Sequence, residues 1–226
     1  MKYIYILILL LIHSSVCASD TSFEYYTVDK IPSNMSVATK KERFYQLVTP
    51  AVKKVHQNLM DEFIRIERNI QNHRGQVEIY NLKITYKVKT NQELLEVMKP
   101  HPPSIAIAQA AMESAWATSR FFREANNVFG MWSPNPNEPR IAAGIQRDGD
   151  RTVWLKKFNS IEDSVKAYYR LMARGKHYKE FRKVRYQTDD VHEIVKKLDK
   201  YSEIGHFYGE ELSAMIRFNK LTKYDN

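Results

Sequence analysis

The stretch PPSIAIAQAAMESAWATSRFFREANNVFGMW, residues 102–132, decides the fold of this chain. Alanines recur on every side of a helix drawn through it, which lets neighbouring elements approach closely all around. The Pro-Pro-Ser opening is a typical helix start, and the Asn-Asn pair at 126–127 is a typical end. We therefore predict one central helix over residues 104–124.

Glu113 is the one acidic residue in the most alanine-rich part of this helix. It lies one turn after Gln109 and beside Met112, so its carboxyl group is expected to be at least partly desolvated. Desolvation disfavours the charged form and raises the pKa, as a general acid working near neutral pH requires. Two structural alternatives remain open at this point: Glu113 faces solvent, or it pairs with a buried arginine such as Arg120.

A second carboxylate is the next group to look for, because most glycoside hydrolases use two that lie about 5–9.5 Å apart. A continuous helix would place Glu124 roughly 16 Å along the axis from Glu113, which is too far. The following loop and hairpin offer Glu138, Asp148 and Asp150 instead. Each of these is also an ordinary polar residue of a loop or turn.

The rest of the chain predicts a mainly helical protein. A long amphipathic helix is expected to start at Thr49-Pro50 and to run to residue 73, with Thr49 as its cap. Residues 77–88 alternate weakly and indicate a strand or a loop. Further helices are predicted over residues 92–99, 160–173, 190–200 and 208–221, and an Asp-Gly pair at 148–149 predicts a small β-hairpin.

Residues 1–18 predict an export signal: a lysine, an apolar run too short to span a bilayer, and small residues before a cut near Ala18. An exported protein is expected in the periplasm or outside the cell. There are 35 Lys and Arg against 26 Asp and Glu, a net charge of +9, which favours an anionic envelope polymer or a phospholipid surface over nucleic acid in such a compartment.

No metal or cofactor is expected. His192-Glu193 begins like a zinc-protease motif, but Lys196 stands where the second histidine would be. The chain contains 7 glycines and no glycine-rich loop that would cradle a phosphate. These patterns argue against metalloprotease and nucleotide-dependent chemistry.

Three segments carry a resemblance to a known family. Residues 102–132, FNSIEDSVKAYYRLMARGKHYKEFR at 158–182 and YSEIGHFYGEELSAMIRFNKL at 201–221 resemble the glucosaminidase domain of the bacterial Bax-type proteins. Those proteins are relatives of the family 73 glycoside hydrolases, which include flagellar peptidoglycan hydrolases. The resemblance covers roughly residues 86–221. It implies a lysozyme-like α+β glucosaminidase domain over 86–226. This domain follows the signal predicted over 1–18 and an N-terminal extension over 19–85 that contains the long helix.

The resemblance also implies roles for individual residues. Glu113 falls on the family's catalytic acid, at the edge of a groove for a glycan that contains N-acetylglucosamine, and Tyr178 falls on a tyrosine near that acid. The residues implied to line the sugar groove are Asn127, Phe129, Gly130 and Trp132.

Two departures from the family pattern matter. Many relatives have Glu-Ser-Gly-Trp-Gly where this chain has Glu-Ser-Ala-Trp-Ala at 113–117, so we expect a stiffer helix with less room beside it. The flagellar hydrolases also place a second glutamate just before the hairpin turn, where this chain has Ile145-Gln146. Either Glu138 or Asp148 takes that role, or the acetamido oxygen of the substrate serves as the nucleophile.

Taken together, the sequence predicts a monomeric endo-β-N-acetylglucosaminidase that cleaves β-1,4 bonds in peptidoglycan glycan strands, with Glu113 as general acid. It predicts no binding of nucleic acid, and no membrane contact apart from a signal that stays uncleaved. A lytic transglycosylase with a single acid and a wall-binding protein without turnover are the alternatives.

Overall fold

A computed structural model describes residues 26–32, 34–147 and 151–225 of the chain. The predicted export signal and the hairpin residues Asp148 and Asp150 lie outside these ranges. Within them, helices dominate and one two-stranded antiparallel sheet is present. The predicted α+β class, mainly helical with one small hairpin and a long N-terminal helix, is confirmed.

Helix α1, Val37–Gln71, begins much earlier than the sequence predicted. Its cap is Ser36, whose side chain accepts a hydrogen bond from the Thr39 amide at 3.1 Å. The start predicted at Thr49-Pro50 is wrong, and Pro50 lies inside the helix. The apolar face continues on the N-terminal side through fully buried Phe44 and Val48, so burial offsets the roughly 3 kcal/mol cost of an interior proline.

Helices α2, Gln76–Tyr86, and α3, Asn91–Met98, pack against the C-terminal half of α1. The strand or loop predicted for 77–88 is wrong. The residues that pack inward, Ile79, Leu82 and Tyr86, follow helical rather than alternating spacing. The predicted helix over 92–99 is confirmed, and a capping box formed by Thr90 and Glu93 opens it.

The central helix is two helices. Helix α4, Pro103–Glu113, ends at Ser114, and α5 covers Arg120–Ala125. Between them the backbone is left-handed over three residues, with φ of 51° at Ala115, 60° at Trp116 and 62° at Ala117. The prediction of one continuous, stiffer helix is wrong, because this Ala-Trp-Ala segment is a turn in which glycines would fit without strain.

This turn yields a stability prediction. Ala115 is exposed and left-handed, so Ala115→Gly is expected to raise the free energy of unfolding by up to about 1 kcal/mol. Ala117 shares the conformation but is fully buried, so Ala117→Gly also loses apolar contact and should gain less. Urea denaturation of both variants measures the difference, and a clear loss of stability in Ala115→Gly would contradict the prediction.

Strands β1, Arg140–Arg147, and β2, Arg151–Lys156, form the hairpin. The pairing runs from Arg140 opposite Lys156 to Arg147 opposite Arg151, with an irregularity between Ala142 and Gln146. Trp132 forms an isolated bridge to Leu155. The segment that follows α5 is thereby attached to the edge of the hairpin.

Four helices complete the described fold. The helix predicted over 160–173 is confirmed as α6, whereas those predicted over 190–200 and 208–221 end earlier. The helix after Tyr178 was not predicted. The bounds are α6, Ile161–Arg174; α7, Lys179–Gln187; α8, Val191–Val195; and α9, Phe207–Phe218, with 3₁₀ turns at Lys176–Tyr178 and Leu221–Tyr224.

Two apolar clusters hold the fold, and α1 contributes to both. Its first half packs with α4, α6, α8 and α9 in the main cluster, and its second half packs with α2 and α3 in a smaller one. The central helix α4 is buried along almost its whole length. Among the described helices, none combines the length and apolar character needed to cross a bilayer.

Candidate active site

Glu113 is the last residue of α4 and is half-buried. Burial raises the pKa of its carboxyl group above the usual 4.5, and a hydrogen bond from Tyr208 acts in the opposite direction with a smaller effect. Within the described residues no cation forms an ion pair with Glu113, and Arg120 pairs with Glu124 instead, at 3.1 Å. Both structural alternatives that the sequence left open, full exposure and a buried ion pair, are therefore absent.

A chain of buried hydrogen bonds leads from Glu113 into the core. Tyr208 donates from its hydroxyl to Glu113 Oε1 at 2.8 Å, and Gln109 donates from Nε2 to that hydroxyl at 3.1 Å. Tyr168 donates to Gln109 Oε1 at 2.5 Å and lies 2.8 Å from Nε2 of His101. All four supporting side chains are 2% exposed or less.

Each hydrogen bond in this network is donated in the direction of Glu113. Because Tyr168 gives its only hydroxyl proton to Gln109, His101 must carry its proton on Nε2 to complete the chain. Burial lowers the pKa of His101 far below its usual value, so the ring is neutral, and its Nδ1 has no partner among the described residues. Among the described residues, Glu113 is the acceptor for the Tyr208 hydroxyl proton, because the Gln109 amide donates to that hydroxyl.

The direction of these hydrogen bonds determines which oxygen of Glu113 carries the proton. Glu113 Oε1 already accepts from Tyr208, so the proton of the neutral acid belongs on Oε2. A Cβ atom added to Gly130 would lie 4.0 Å from Oε2 and would meet no other described side chain or remote backbone atom within 4 Å. Oε2 therefore borders the unfilled space beside Gly130.

Three tyrosines from different elements surround the acid. Tyr201 stacks on Tyr208 with ring centroids 5.3 Å apart, and Tyr178 lies 6.1 Å from Tyr201. The pKa values of Tyr178 and Tyr201 are raised first by burial and then by the charge of Glu113. Tyr178 can occupy its place because residue 175 is glycine: a Cβ there would lie 2.7 Å from the Tyr178 ring.

The four residues implied to line the sugar groove fall into two pairs. Gly130, with φ of 62°, and Trp132, which is 61% exposed, offer accessible surface. Phe129 is buried and stacks on Tyr168 with ring centroids 3.9 Å apart. Asn127 is also buried and bonds to the backbone of Met131 and Lys156, with three contacts of 2.9 Å.

Glu138 lies where the loop enters the hairpin. One carboxylate oxygen accepts from the Ser133 hydroxyl at 2.6 Å, and the other accepts from Lys156 Nζ at 2.9 Å. These two contacts lower the pKa of Glu138, so the group is ionised at neutral pH. The carboxylate of Glu138 is stabilised by two hydrogen-bond donors, whereas that of Glu113 is desolvated. Their pKa values are therefore shifted in opposite directions.

Within the described residues, no group of histidine, cysteine or acidic side chains is arranged to hold a metal ion. His192, the start of the incomplete zinc motif, has its Nδ1 2.8 Å from the Ser213 hydroxyl. Its place is thus at the contact between α8 and α9.

Sequence reasoning gave no role to Tyr208 or His101. Gln109 offered a signal, because it lies one helical turn before Glu113 on the same face. Tyr208 and His101 offered none, since only tertiary packing brings them into the chain of hydrogen bonds.

A half-buried carboxyl group with a raised pKa is the kind of acid that glycoside hydrolases use to cleave an acetal bond. The chain belongs to the glucosaminidase family: residues 88–221 match the family model described as mannosyl-glycoprotein endo-beta-N-acetylglucosaminidase. Protein bax of Escherichia coli strain K12 is 32% identical over 145 residues, covering 60% of this chain and 49% of that protein. The chain thus spans about half the length of that relative.

Solved structures resemble the fold at low sequence identity. The catalytic domain of the autolysin Auto from Listeria monocytogenes matches with a TM-score of 0.51 and 19% identity, over 84% of this chain and 90% of that one. A protein from Staphylococcus aureus described as an N-acetylmuramoyl-L-alanine amidase matches with a TM-score of 0.53 and 16% identity, over 87% of this chain and 47% of that one. These likenesses concern the fold alone.

Proposed function

We propose that this protein is a peptidoglycan hydrolase, an endo-β-N-acetylglucosaminidase that cleaves β-1,4 bonds of the glycan strands. The family supports the N-acetylglucosamine specificity, and the half-buried, unpaired carboxyl group of Glu113 is the observation that carries the proposal. A net charge of +9 suits an anionic wall polymer. The predicted signal over residues 1–18 would deliver the enzyme to that polymer as an exported monomer without cofactors.

Glu113 acts as the general acid in this proposal. It delivers the proton from Oε2 to the glycosidic oxygen, so the bond breaks with a neutral sugar leaving. As the proton departs, Tyr208 already donates to Oε1, and a donor to a carboxylate stabilises the charged form. The buried chain behind Tyr208 thus favours the carboxylate that proton transfer produces, without any reorganisation at that moment.

The neighbouring residues have distinct proposed roles. Tyr178 stays a neutral phenol because its pKa is raised, so we assign it to positioning the sugar beside Glu113 rather than to proton transfer. Trp132 offers an exposed ring face for stacking against a sugar. Asn127 and Phe129 are buried, and we assign them to holding the backbone on either side of Gly130 in place.

The group that assists Glu113 is the open step, and the sequence offers Glu138, Asp148 or the acetamido oxygen of the substrate for it. Both carboxylate oxygens of Glu138 are engaged by Ser133 and Lys156, which favours the alternative in which the acetamido oxygen of the substrate is the nucleophile. We therefore expect Glu138→Gln to lower kcat by less than about tenfold, well below the 10²–10⁴-fold that a general base contributes. A loss within that larger range, with folding retained, would instead identify Glu138 as the second carboxylate.

Product analysis tests the proposed reaction. Purified cell wall digested with the full chain and examined by mass spectrometry should yield new hydrated N-acetylglucosamine reducing ends. Anhydro-sugar ends would identify a lytic transglycosylase, which also needs one acid. Saturable binding to wall without any product would identify a non-catalytic wall-binding protein, and either result would overturn the proposal.

A further inference from the structure

A cavity of about 510 Å³ lies where α1, α2, α3 and α6 meet, at the junction of the two apolar clusters. The cavity is partly open to solvent, so a ligand can enter it from the surface. The volume falls within the roughly 300–1,000 Å³ of small-molecule sites. None of its lining residues is one that we place around Glu113 or in the hydrogen-bond chain behind it.

The cavity combines an apolar floor with cationic walls. Its floor comes from both clusters and includes Val55, Leu59, Leu82, Val97 and Met98. Five lysine and arginine side chains also line it, against the single acidic residue Glu62. Such a lining suits a ligand that has both an alkyl part and a negative charge.

The cations differ in how their charge is compensated. Lys99 pairs with Asp189 at 3.0 Å, and Lys166 pairs with Glu162 at 2.7 Å. Arg170 and Arg174 have no carboxylate within ion-pair distance in the part of the chain that the structure describes. Their guanidinium groups are therefore available to a ligand.

Arg185 supplies an independent observation. It lines the cavity but is only 2% exposed, and its Nη2 donates to the backbone oxygen of Glu96. Its Nε has no partner among the described residues, and no described carboxylate pairs with it. Burial and then the neighbouring charge of Arg182 lower the pKa of Arg185 to about 9. A buried, uncompensated cation is costly, and a bound anion would relieve that cost.

We propose that this cavity binds a single-chain amphiphile with an anionic head group, such as an alkyl phosphate or alkyl carboxylate. The alkyl chain lies on the floor between α1, α2 and α3. The head group pairs with Arg170 and Arg174, and its negative charge also offsets that of Arg185, which lines the same cavity. A glycan strand fits this lining poorly, because Leu59, Leu82 and Met98 offer its hydroxyl groups no partners.

Calorimetric titration of the full chain with dodecyl phosphate, below its critical micelle concentration, tests the proposal. We expect a Kd on the order of 10 µM, at least about tenfold tighter than for dodecyl maltoside, dodecyltrimethylammonium or inorganic phosphate. Octyl phosphate should bind more weakly than dodecyl phosphate, because less apolar surface is buried. Equal binding of the three dodecyl compounds, or no binding of dodecyl phosphate, would overturn the proposal.

A charge-matched pair of variants locates the site. Arg170→Gln/Arg174→Gln removes two exposed cations of the cavity and is expected to weaken dodecyl phosphate binding by about tenfold or more. Arg74→Gln/Arg217→Gln removes the same charge from exposed residues that do not line the cavity, and should leave the Kd unchanged. Equal effects of the two double variants would show binding to the general basic surface and would contradict the assignment. The titration needs no catalysis, so its outcome is independent of the proposed hydrolase activity.

Discussion

Replacing Glu113 with glutamine is expected to reduce the release of reducing ends from cell wall by about 10²–10⁴-fold, the contribution of a general acid. The glutamine amide keeps the shape of the side chain and can still accept the hydrogen bond from Tyr208, so the fold should be retained. The amide nitrogen that replaces Oε2 is too weak an acid to protonate the glycosidic oxygen. The loss should therefore appear in kcat, with binding to the wall preserved.

Glu124→Gln is the matched control for this experiment. Glu124 lies in the neighbouring helix α5 with a half-exposed side chain that pairs with Arg120. The substitution removes an equal charge without touching the site, and activity within about twofold of the native protein is expected, as for exposed ion pairs that contribute little. Full activity in Glu113→Gln, or an equal loss in both variants, would refute the role of Glu113.

Glu113→Gln should also make the protein more stable at neutral pH. The folded-state pKa of Glu113 is raised above its unfolded value, so folding disfavours the ionised group. The free energy of unfolding is therefore at its full value below the unfolded pKa, taken as the usual 4.5. It falls as pH rises through the folded pKa, because the half-buried carboxyl group must then ionise. The variant, which cannot ionise, should have the higher Tm at pH 7 and lose that advantage toward pH 4.

The second large effect is expected from Tyr208→Phe. Loss of the hydroxyl removes the donor to Glu113 Oε1, which holds the pKa of the acid down. The pKa of Glu113 should therefore rise, and the alkaline limb of the kcat/KM profile should move to higher pH. The buried Gln109 amide also loses its acceptor, at a cost of about 1–3 kcal/mol in the free energy of unfolding.

Tyr201→Phe separates this effect from a general disturbance of the aromatic wall. Tyr201 stacks directly on Tyr208, and no hydrogen bond joins its hydroxyl to Glu113 in the described part of the chain. The control removes the same atom from the adjacent ring and should leave the alkaline limb in place. An unshifted limb in Tyr208→Phe, or equal shifts in both variants, would show that the chain behind the acid does not tune it.

The fold was predictable where local signals were strong. The helices α3 and α6 were predicted close to their observed bounds, and the Asp-Gly pair at 148–149 indicated the hairpin. The predictions failed where tertiary packing overrides local preference. A proline was taken as the start of α1 although it lies inside, and the break at Ser114 went unnoticed because alanine strongly favours a continuous helix.

The site was predictable only in part for the same reason. Glu113 stood out because a lone carboxylate among alanines is unusual, and the family resemblance placed Gly130 and Trp132 beside it. The chain through Tyr208, Gln109, Tyr168 and His101 could not be foreseen, because its members come from separate segments and only their packing aligns their donors. The cavity between the two apolar clusters has no signature in the sequence, since helices far apart in the chain form it.

The pKa of Glu113 is the quantity on which this account depends most directly. A ¹³C NMR titration of the side-chain carboxyl groups measures it, with the Glu113 signal assigned by its absence from Glu113→Gln. The account predicts a titration midpoint clearly above the usual value of 4.5. A midpoint at or below 4.5 would mean an acid already ionised near neutral pH, and would contradict the proposed proton transfer.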